Sequence, residues 1–178
     1  MKIFNILILI SIIPLVGVML LILIPGRYNS YCFNAALFIS SLTFILSLIM
    51  WLIFDSGHNS FQFLCTIDWL PAFNFYYTVG VDGISLFFLI LTTFLIMVCV
   101  LISWGSINYR LKEYLINFLL LEFLLIQVFS VLDLLLFYVF FESILMPMFL
   151  IIGIWGSRER KIRAAYQFFL YTLVGSVL

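Results

Sequence analysis

Charged side chains are scarce in this sequence: Asp, Glu, Lys and Arg make up 9% of its 178 residues, against about 25% in an average soluble domain. Hydrophobic residues make up 66%. The polar residues are too few to cover the surface of a water-soluble globule, so we predict an integral membrane protein. The formal net charge is zero, so no basic excess points to a nucleic-acid or acidic-substrate partner.

Residues that hold metals or redox cofactors are also few. The three cysteines, Cys32, Cys65 and Cys99, lie far apart and form no C-x-x-C pair, and His58 is the single histidine. This pattern excludes a bis-histidine haem site and argues against disulfide or metal chemistry. We therefore predict packing or loop roles for the cysteines, no metal site and no redox cofactor on this chain.

Apolar runs near the ~20 residues that cross a bilayer recur along the chain. The first begins at Phe4 and is longer than the apolar part of a signal peptide, so we interpret it as a mature span. The run from Leu115 to Trp155 would be about 60 Å long as one helix, twice the membrane core, and must therefore turn, most simply at Asp133. The sequence thus predicts one all-α membrane domain, 1–178, with spans at about 4–24, 33–54, 84–104, 115–132, 134–155 and 164–178.

The segment between the second and third spans has a different pattern. Apolar residues alternate along "SFQFLCTIDW", which predicts a short hairpin at the membrane interface rather than a span. Asp82, in "VGVDGIS", is predicted to cap the following helix. The alternating residues are Phe61, Phe63, Cys65, Ile67 and Trp69.

Basic residues mark one side of the membrane. Seven of the eight Lys and Arg residues follow spans one, three and five, and only Lys2 lies on the other side. Since positive loops remain on the inner side, we predict that these three loops face the cytoplasm or the mitochondrial matrix. The seven residues are Arg27, Arg110, Lys112, Arg158, Arg160, Lys161 and Arg163.

Glu142, in "YVFFESILMPMF", is the only charged residue between Asp133 and Arg158. An ionisable group within a span is costly and is functional by default. Pro147 has no backbone N–H and so frees the carbonyl of Ser143, which creates a place for water beside the carboxylate. We predict that Glu142 takes up and releases a proton; the alternative is a protonated Glu that only hydrogen-bonds a neighbouring helix.

Glu122 is a second intramembrane carboxylate. With spans four and five antiparallel about Asp133, it lies at a depth similar to that of Glu142, and the two titrations would be coupled if the side chains met. The alternative is that Glu122 contacts another partner. In the sixth run, Gln167 and Tyr171 recur at helical spacing with Gly175, and Thr172 and Ser176 lie beside them. This polar face predicts a helix contact or a hydrated interior rather than lipid.

Three stretches closely resemble subunit 4 of respiratory complex I, an antiporter-like membrane chain of the proton-pumping NADH:ubiquinone oxidoreductase. They are "IDWLPAFN" (67–74), "VGVDGISLFFLILTTF" (79–94) and "LDLLLFYVFFESILMPMFLIIGIWGSRERKIRAAYQFFLYTLVGSVL" (132–178). The last is the most specific, since "VGVDGIS" is shared with related antiporter-like chains. The resemblance covers essentially the whole chain.

The resemblance implies the first six helices of a fourteen-helix antiporter-like fold, the sixth being complete or truncated. It implies that Glu142 is the proton-relay glutamate of the fifth helix, tuning a lysine on a later broken helix; no family role is carried onto Glu122. Flavin, iron–sulfur clusters and ubiquinone would be bound elsewhere in the complex. The implied partners are lipids, antiporter-like neighbours and a polypeptide that supplies the remaining helices.

The resemblance and the Phe- and Ile-rich composition predict a mitochondrial inner membrane location, with a bacterial membrane as the alternative. The lysines and the later acidic residue of the family lie in helices beyond residue 178. A fragment, a split gene product or a truncated relic would each explain this, and we expect a split or truncated product. Two other functions remain open: a subunit of a multisubunit cation/proton antiporter, and a structural scaffold of the membrane arm.

Overall fold

The computed structural model describes residues 6–26, 29–57, 60–70, 75–107, 109–157 and 159–177. These residues form six helices and a two-stranded antiparallel sheet: α1 (Ile6–Leu23), α2 (Asn29–Ile53), β1 (Gln62–Leu70), β2 (Phe75–Val81), α3 (Gly83–Ile102), α4 (Leu111–Ser130), α5 (Leu134–Trp155) and α6 (Lys161–Val177). Helices α1 to α5 are long and apolar enough to cross a membrane. The predictions made for Lys2, Phe4, Arg27, His58, Arg158 and Leu178 lie outside the described residues.

Each predicted span overlaps one helix, but three of the helices begin several residues before the apolar run. Helices α2 and α4 each begin four residues before the predicted span, and α6 begins three residues before it. Hydropathy follows the part of a helix that is compatible with lipid, whereas a helix also includes polar turns at the membrane surface. Segments such as "LKEY" at the start of α4 were therefore predicted as loop and are helical.

Helix α4 lies at the centre of the bundle and packs against α1, α2, α3 and α5, while α6 packs against α5. Gly17 allows α1 to approach closely: a Cβ added there would lie 2.9 Å from the Ile39 side chain of α2 and 3.0 Å from that of Leu119 of α4. Two apolar clusters fill the interior, one towards each end of the bundle. Residues of α4 are consequently the most completely enclosed.

Strands β1 and β2 form a hairpin at the end of the bundle where α4 meets α5. Val79 forms an isolated bridge with Val131, and the Leu132 amide donates to the Thr78 carbonyl at 3.0 Å. The predicted alternation along β1 is interrupted, because the pairing register shifts between Gln62 and Cys65. Phe63 adopts a left-handed φ of 54° at this bulge, and an extra residue in a strand reverses which face the following side chains occupy. The predicted hairpin is thus present, but the bulge interrupts the alternation of faces along β1.

Two aspartates begin helices at this same end. Asp82 caps α3 and accepts from the Ser85 amide at 2.7 Å, while the Ser85 hydroxyl accepts from the Asp82 amide at 3.0 Å. Asp133 caps α5 through the Leu135 amide at 2.8 Å. Side-chain oxygens at these positions satisfy amides that have no partner within the helix. The predictions of a cap at Asp82 and of a turn at Asp133 are confirmed.

The basic loops meet at the opposite end of the bundle. The Lys112 amine donates to the carbonyls of Ile22 and Ile24, at 2.9 and 2.7 Å, and so joins the start of α4 to the end of α1. Trp155, at the end of α5, donates from its ring nitrogen to the Tyr109 carbonyl at 2.8 Å. Arg110, Lys112 and Lys161, which lie at the starts of α4 and α6, are thus at one end of the bundle.

Candidate functional site

Glu142 lies in α5, about 12 Å from the helix start at 1.5 Å per residue. It is partly exposed, and its Oε2 accepts a hydrogen bond from the Ser176 hydroxyl of α6 at 3.1 Å. The same hydroxyl lies 2.9 Å from the Leu173 carbonyl one turn earlier in α6. This contact joins the intramembrane carboxylate of α5 to the last described turn of α6.

A groove of about 450 Å³ lies between α5 and α6 beside Glu142. Its lining is mostly apolar, and Glu142 is the only carboxylate among the lining residues. The groove leaves part of this carboxyl group uncovered by the described residues. The lining residues are Tyr138, Val139, Glu142, Ser143, Met146, Phe169 and Leu173.

The residues predicted to support Glu142 occupy different positions. Pro147 is buried within α5, whereas the Ser143 hydroxyl donates to the Val139 carbonyl at 2.7 Å rather than to the carboxylate. Gln167 and Tyr171 are exposed on α6, and 77% of the Tyr171 surface is accessible. Ser176, which is on the same helix, makes the contact with Glu142 instead. The face that includes Gln167 and Tyr171 packs against none of the described residues of α5.

Glu122 has very different surroundings. Its side chain is completely buried in α4, and its Oε1 is hydrogen-bonded to the Thr43 hydroxyl of α2. Its Oε2 has no hydrogen-bond partner among the described residues. Glu122 therefore contacts a partner other than Glu142, which was the alternative that the sequence left open.

The two carboxylates are directed to different helices. Glu122 is bonded to α2 and Glu142 to α6, and no hydrogen bond joins them in the described part of the chain. Two side chains at similar depth on antiparallel helices do not necessarily meet, because the position of each residue around its helix axis decides which neighbouring helix its side chain faces. Direct contact between the two groups is thus not found.

Buried hydroxyl and amide groups extend on either side of Glu122. The Ser47 hydroxyl of α2 lies 3.0 Å from that of Thr93 in α3, and both side chains are fully buried. Nearer the hairpin, the Tyr77 hydroxyl of β2 donates to the side-chain oxygen of Gln127 in α4. Burial raises the pKa of the Tyr77 phenol above its usual value, so this group is a donor at neutral pH.

Sequence reasoning missed Thr43, Ser47, Thr93 and Gln127, and it named Ser176 only as a neighbour of the polar face. One signal was present: Ser40, Thr43 and Ser47 recur at intervals of three and four residues, which places them on one face of α2. In a bundle of apolar helices such a face is expected to meet polar partners. What the spacing does not give is the identity of the partner.

Metal ligation has no support in the described residues, where no three His, Cys, Asp or Glu side chains lie close enough to hold an ion together. The described cysteines Cys32, Cys65 and Cys99 are not in disulfide bonds. The polar groups that do lie together are carboxyl, hydroxyl and amide groups. These groups exchange protons and hold water.

Apolar helices that enclose titratable carboxyl groups at mid-length define the chain as a polytopic membrane protein. A family model described as "NADH:quinone oxidoreductase/Mrp antiporter, TM" matches residues 131–178. NADH-ubiquinone oxidoreductase chain 4 of Chondrus crispus is 65% identical over 178 residues, which is 100% of this chain and 36% of that protein. The Arabidopsis thaliana chain 4 is 55% identical over 164 residues, 92% of this chain and 33% of that protein.

A solved structure shows a similarity to the same enzyme. A chain of respiratory complex I from Thermus thermophilus with bound NADH superposes with a TM-score of 0.78 at 30% sequence identity, over 96% of this chain and 33% of that one. The present chain spans about a third of the length of the curated relatives that it matches. Over nearly its whole length, the chain is therefore similar to about a third of the length of proteins named NADH-ubiquinone oxidoreductase chain 4.

Proposed function

We propose that this chain is a proton-translocating component of the membrane arm of an NADH:ubiquinone oxidoreductase. The observation that carries this proposal is the similarity over the full 178 residues to proteins named chain 4 of that enzyme. It is supported by an intramembrane carboxylate, Glu142, within the segment matched by the family model. The chain would contribute proton movement, and the oxidation of NADH would take place on other subunits.

Glu142 is the proposed proton-relay group. Its partial exposure in the α5–α6 groove would allow the carboxyl group to meet water, and the Ser176 hydroxyl can donate a hydrogen bond to the ionised form or accept one from the protonated form. A cation brought to the groove by a neighbouring helix would favour the ionised form, and its removal would favour the protonated form. The proton affinity of Glu142 would thereby follow charge changes elsewhere in the membrane arm.

The surroundings of the chain follow from this role. We infer that it is a multi-pass protein of the mitochondrial inner membrane, with the loops that carry Arg110, Lys112 and Lys161 on the matrix side. Its partners would be other membrane-arm subunits, in particular antiporter-like neighbours, and lipids. Flavin, iron–sulfur clusters and ubiquinone would be bound by other chains of the oxidoreductase.

The test is the Glu142→Gln variant in the assembled oxidoreductase, which keeps the size of the side chain and removes its titration. We expect NADH-driven proton translocation in sealed vesicles to fall at least tenfold, while the complex still assembles. Glu113→Gln is the matched control, since Glu113 is exposed at the start of α4 and pairs with Arg110 at 3.4 Å. Unchanged proton pumping in an assembled Glu142→Gln complex would show that this chain is a scaffold.

A second candidate function is suggested by the family description, which includes Mrp antiporters. Such a subunit would exchange a cation for protons without NADH oxidation. Purification of the chain under mild detergent conditions separates the two functions. Flavin and iron–sulfur absorbance in the same fraction would support the oxidoreductase, whereas sodium-dependent proton exchange without either chromophore would support the antiporter.

A further inference from the structure

Glu122 has no cationic side chain beside it on the described helices that pack against α4. The helices packed against α4 on three sides, α1, α2 and α3, contain no Asp, Glu, Lys, Arg or His, and α5 contributes only Glu142. The remaining titratable groups of those helices and of β2 are phenols and thiols, such as Tyr77, Cys32 and Cys99. An ionised carboxylate without a paired charge is strongly disfavoured at such a site. Burial and composition together therefore favour a neutral carboxyl group.

The hydrogen bonds of Thr43 point to the same state. Its hydroxyl lies 2.9 Å from the Ser40 carbonyl and also contacts Glu122 Oε1, yet a hydroxyl has only one hydrogen to donate. If Thr43 donates to the Ser40 carbonyl, as helical Thr residues commonly do, its oxygen accepts a hydrogen from Glu122. A protonated Glu122 thus satisfies both contacts, and an ionised one does not.

The second carboxyl oxygen needs a partner as well. Oε2 is buried and without a partner among the described residues, and an unpaired buried acceptor costs about 1–3 kcal/mol. The Ser40 and Ser47 hydroxyls lie one turn on either side of Thr43 on the same face of α2, and both are completely buried. Buried polar groups clustered in this way are where proteins hold internal water.

We propose that Glu122 forms a closed proton- and water-binding site of its own, in which the protonated carboxyl group donates to Thr43 and a bound water donates to Oε2. The site is separate from that of Glu142, and it does not depend on the proposed activity. It is built from α2 and α4, and the Ser47–Thr93 pair that joins α2 to α3 lies one turn further along α2. Its ligands are one proton and one water molecule.

Infrared spectroscopy of the full chain in lipid nanodiscs, prepared with isotope-labelled glutamate, tests the proton. We expect an isotope-shifted carbonyl band of a protonated carboxyl group at neutral pH, which is lost in Glu122→Gln and retained in Glu142→Gln. Glu113 and Glu159 are exposed and do not obscure the band. Its absence from the unmodified chain, or its survival in Glu122→Gln, would overturn the proposal.

Substitutions at Thr43 keep the test decisive if Glu122→Gln does not fold. Thr43→Val removes the hydroxyl at nearly constant volume. The carboxyl group then loses the hydrogen bond that it donates to Thr43, and its carbonyl band should move to higher frequency. Thr43→Ser retains the hydroxyl and should leave the band in place. If Thr43→Val and Thr43→Ser give the same band as the unmodified chain, the assigned hydrogen bond is wrong.

Heavy-oxygen water tests the bound water. Exchange into this solvent should shift an O–H stretching band of internal water, which is present in the unmodified chain and in Glu142→Gln and lost in Glu122→Gln. If no band shows this pattern, the carboxyl group is protonated without a water and that part of the proposal fails.

Discussion

The two intramembrane glutamates make the same kind of contact in opposite surroundings. Each carboxyl group meets a hydroxyl that also bonds to a carbonyl of its own helix, Thr43 for Glu122 and Ser176 for Glu142. Glu122 is completely buried at the centre of the bundle, whereas Glu142 is partly exposed in a groove at its edge. The contacts alone would suggest equal roles, and the burial distinguishes them.

This difference shows how enclosure decides what a carboxyl group can do. A closed site without a cation holds its proton, because ionisation there has no compensating interaction. An open site responds to charges that approach from other chains or lipids, because its carboxyl group has access to water and to those charges. Under the two proposals, Glu142 would transfer protons and Glu122 would hold one.

The largest effect is expected when a cation is placed at each site. Glu122→Lys puts a charge in the closed site and should destabilise the chain by about 3 kcal/mol or more. Glu142→Lys should cost much less, since its side chain can extend into the groove. Thermal unfolding of the two variants in the same detergent measures the difference. Equal destabilisation would show that the groove is closed in the membrane.

Removal of the two hydroxyls should give a smaller contrast in the same direction. Thr43→Val leaves a buried carboxyl group without its partner and should cost about 1–2 kcal/mol. Ser176→Ala affects a partly exposed pair and should cost about half a kcal/mol or less. Denaturant unfolding of the two variants measures this, and a larger loss for Ser176→Ala would reverse our assignment of the closed site.

Asp82 extends the comparison to a carboxylate outside the spans. The Ser85 hydroxyl and nearby backbone amides hold the pKa of Asp82 below its ordinary value of 3.8. A carboxylate with a lowered pKa in the folded state stabilises that state above its unfolded pKa, and the contribution is lost as the pH falls through the folded pKa. We expect Asp82→Ala to cost about 1 kcal/mol at neutral pH.

The part of that cost that comes from the charge of Asp82 should be lost in acid. The difference in melting temperature between the chain and Asp82→Ala, measured from neutral pH to below about pH 3, should therefore shrink at the acid end. A constant difference across this range would mean that the cap acts through its hydrogen bonds and packing and not through its charge.

The smallest expected effect is the coupling between the two sites. Glu122→Gln and Glu142→Gln should change the free energy of unfolding independently, so that the double variant equals the sum within about 0.5 kcal/mol. The logarithms of the fold-changes in proton translocation rate caused by the two single substitutions should also add up to that of the double variant. A larger coupling energy would indicate that a shared water chain joins the sites despite their different partners.

Much of the fold was accessible from the sequence. Apolar length predicted where helices occur, because an unpaired backbone amide in lipid is so costly that a spanning segment of this kind becomes helical. Asp82 and Asp133 could be assigned as helix starts, since capping depends on local geometry alone. The first turns of α2, α4 and α6 were missed, because their polar residues resemble loops in a hydropathy profile.

The candidate site was less accessible. Glu142 and Glu122 could be recognised as unusual from the sequence, because a charged residue within an apolar run is visible without a structure. Their partners Ser176 and Thr43 could not be found, because they are 34 and 79 residues away. The bulge at Phe63 was missed for a similar reason, since a shift of pairing register depends on the partner strand.

The sequence by itself determined that this is a membrane protein, where its helices lie, which end is basic and which residues are ionisable within the spans. These properties depend on hydrophobicity, charge and local geometry, and each is encoded within a few tens of neighbouring residues. Only the tertiary structure decided that Glu122 is enclosed with Thr43 and that Glu142 is open beside Ser176. Burial depends on which helix faces meet, and that is fixed by the packing of the whole bundle.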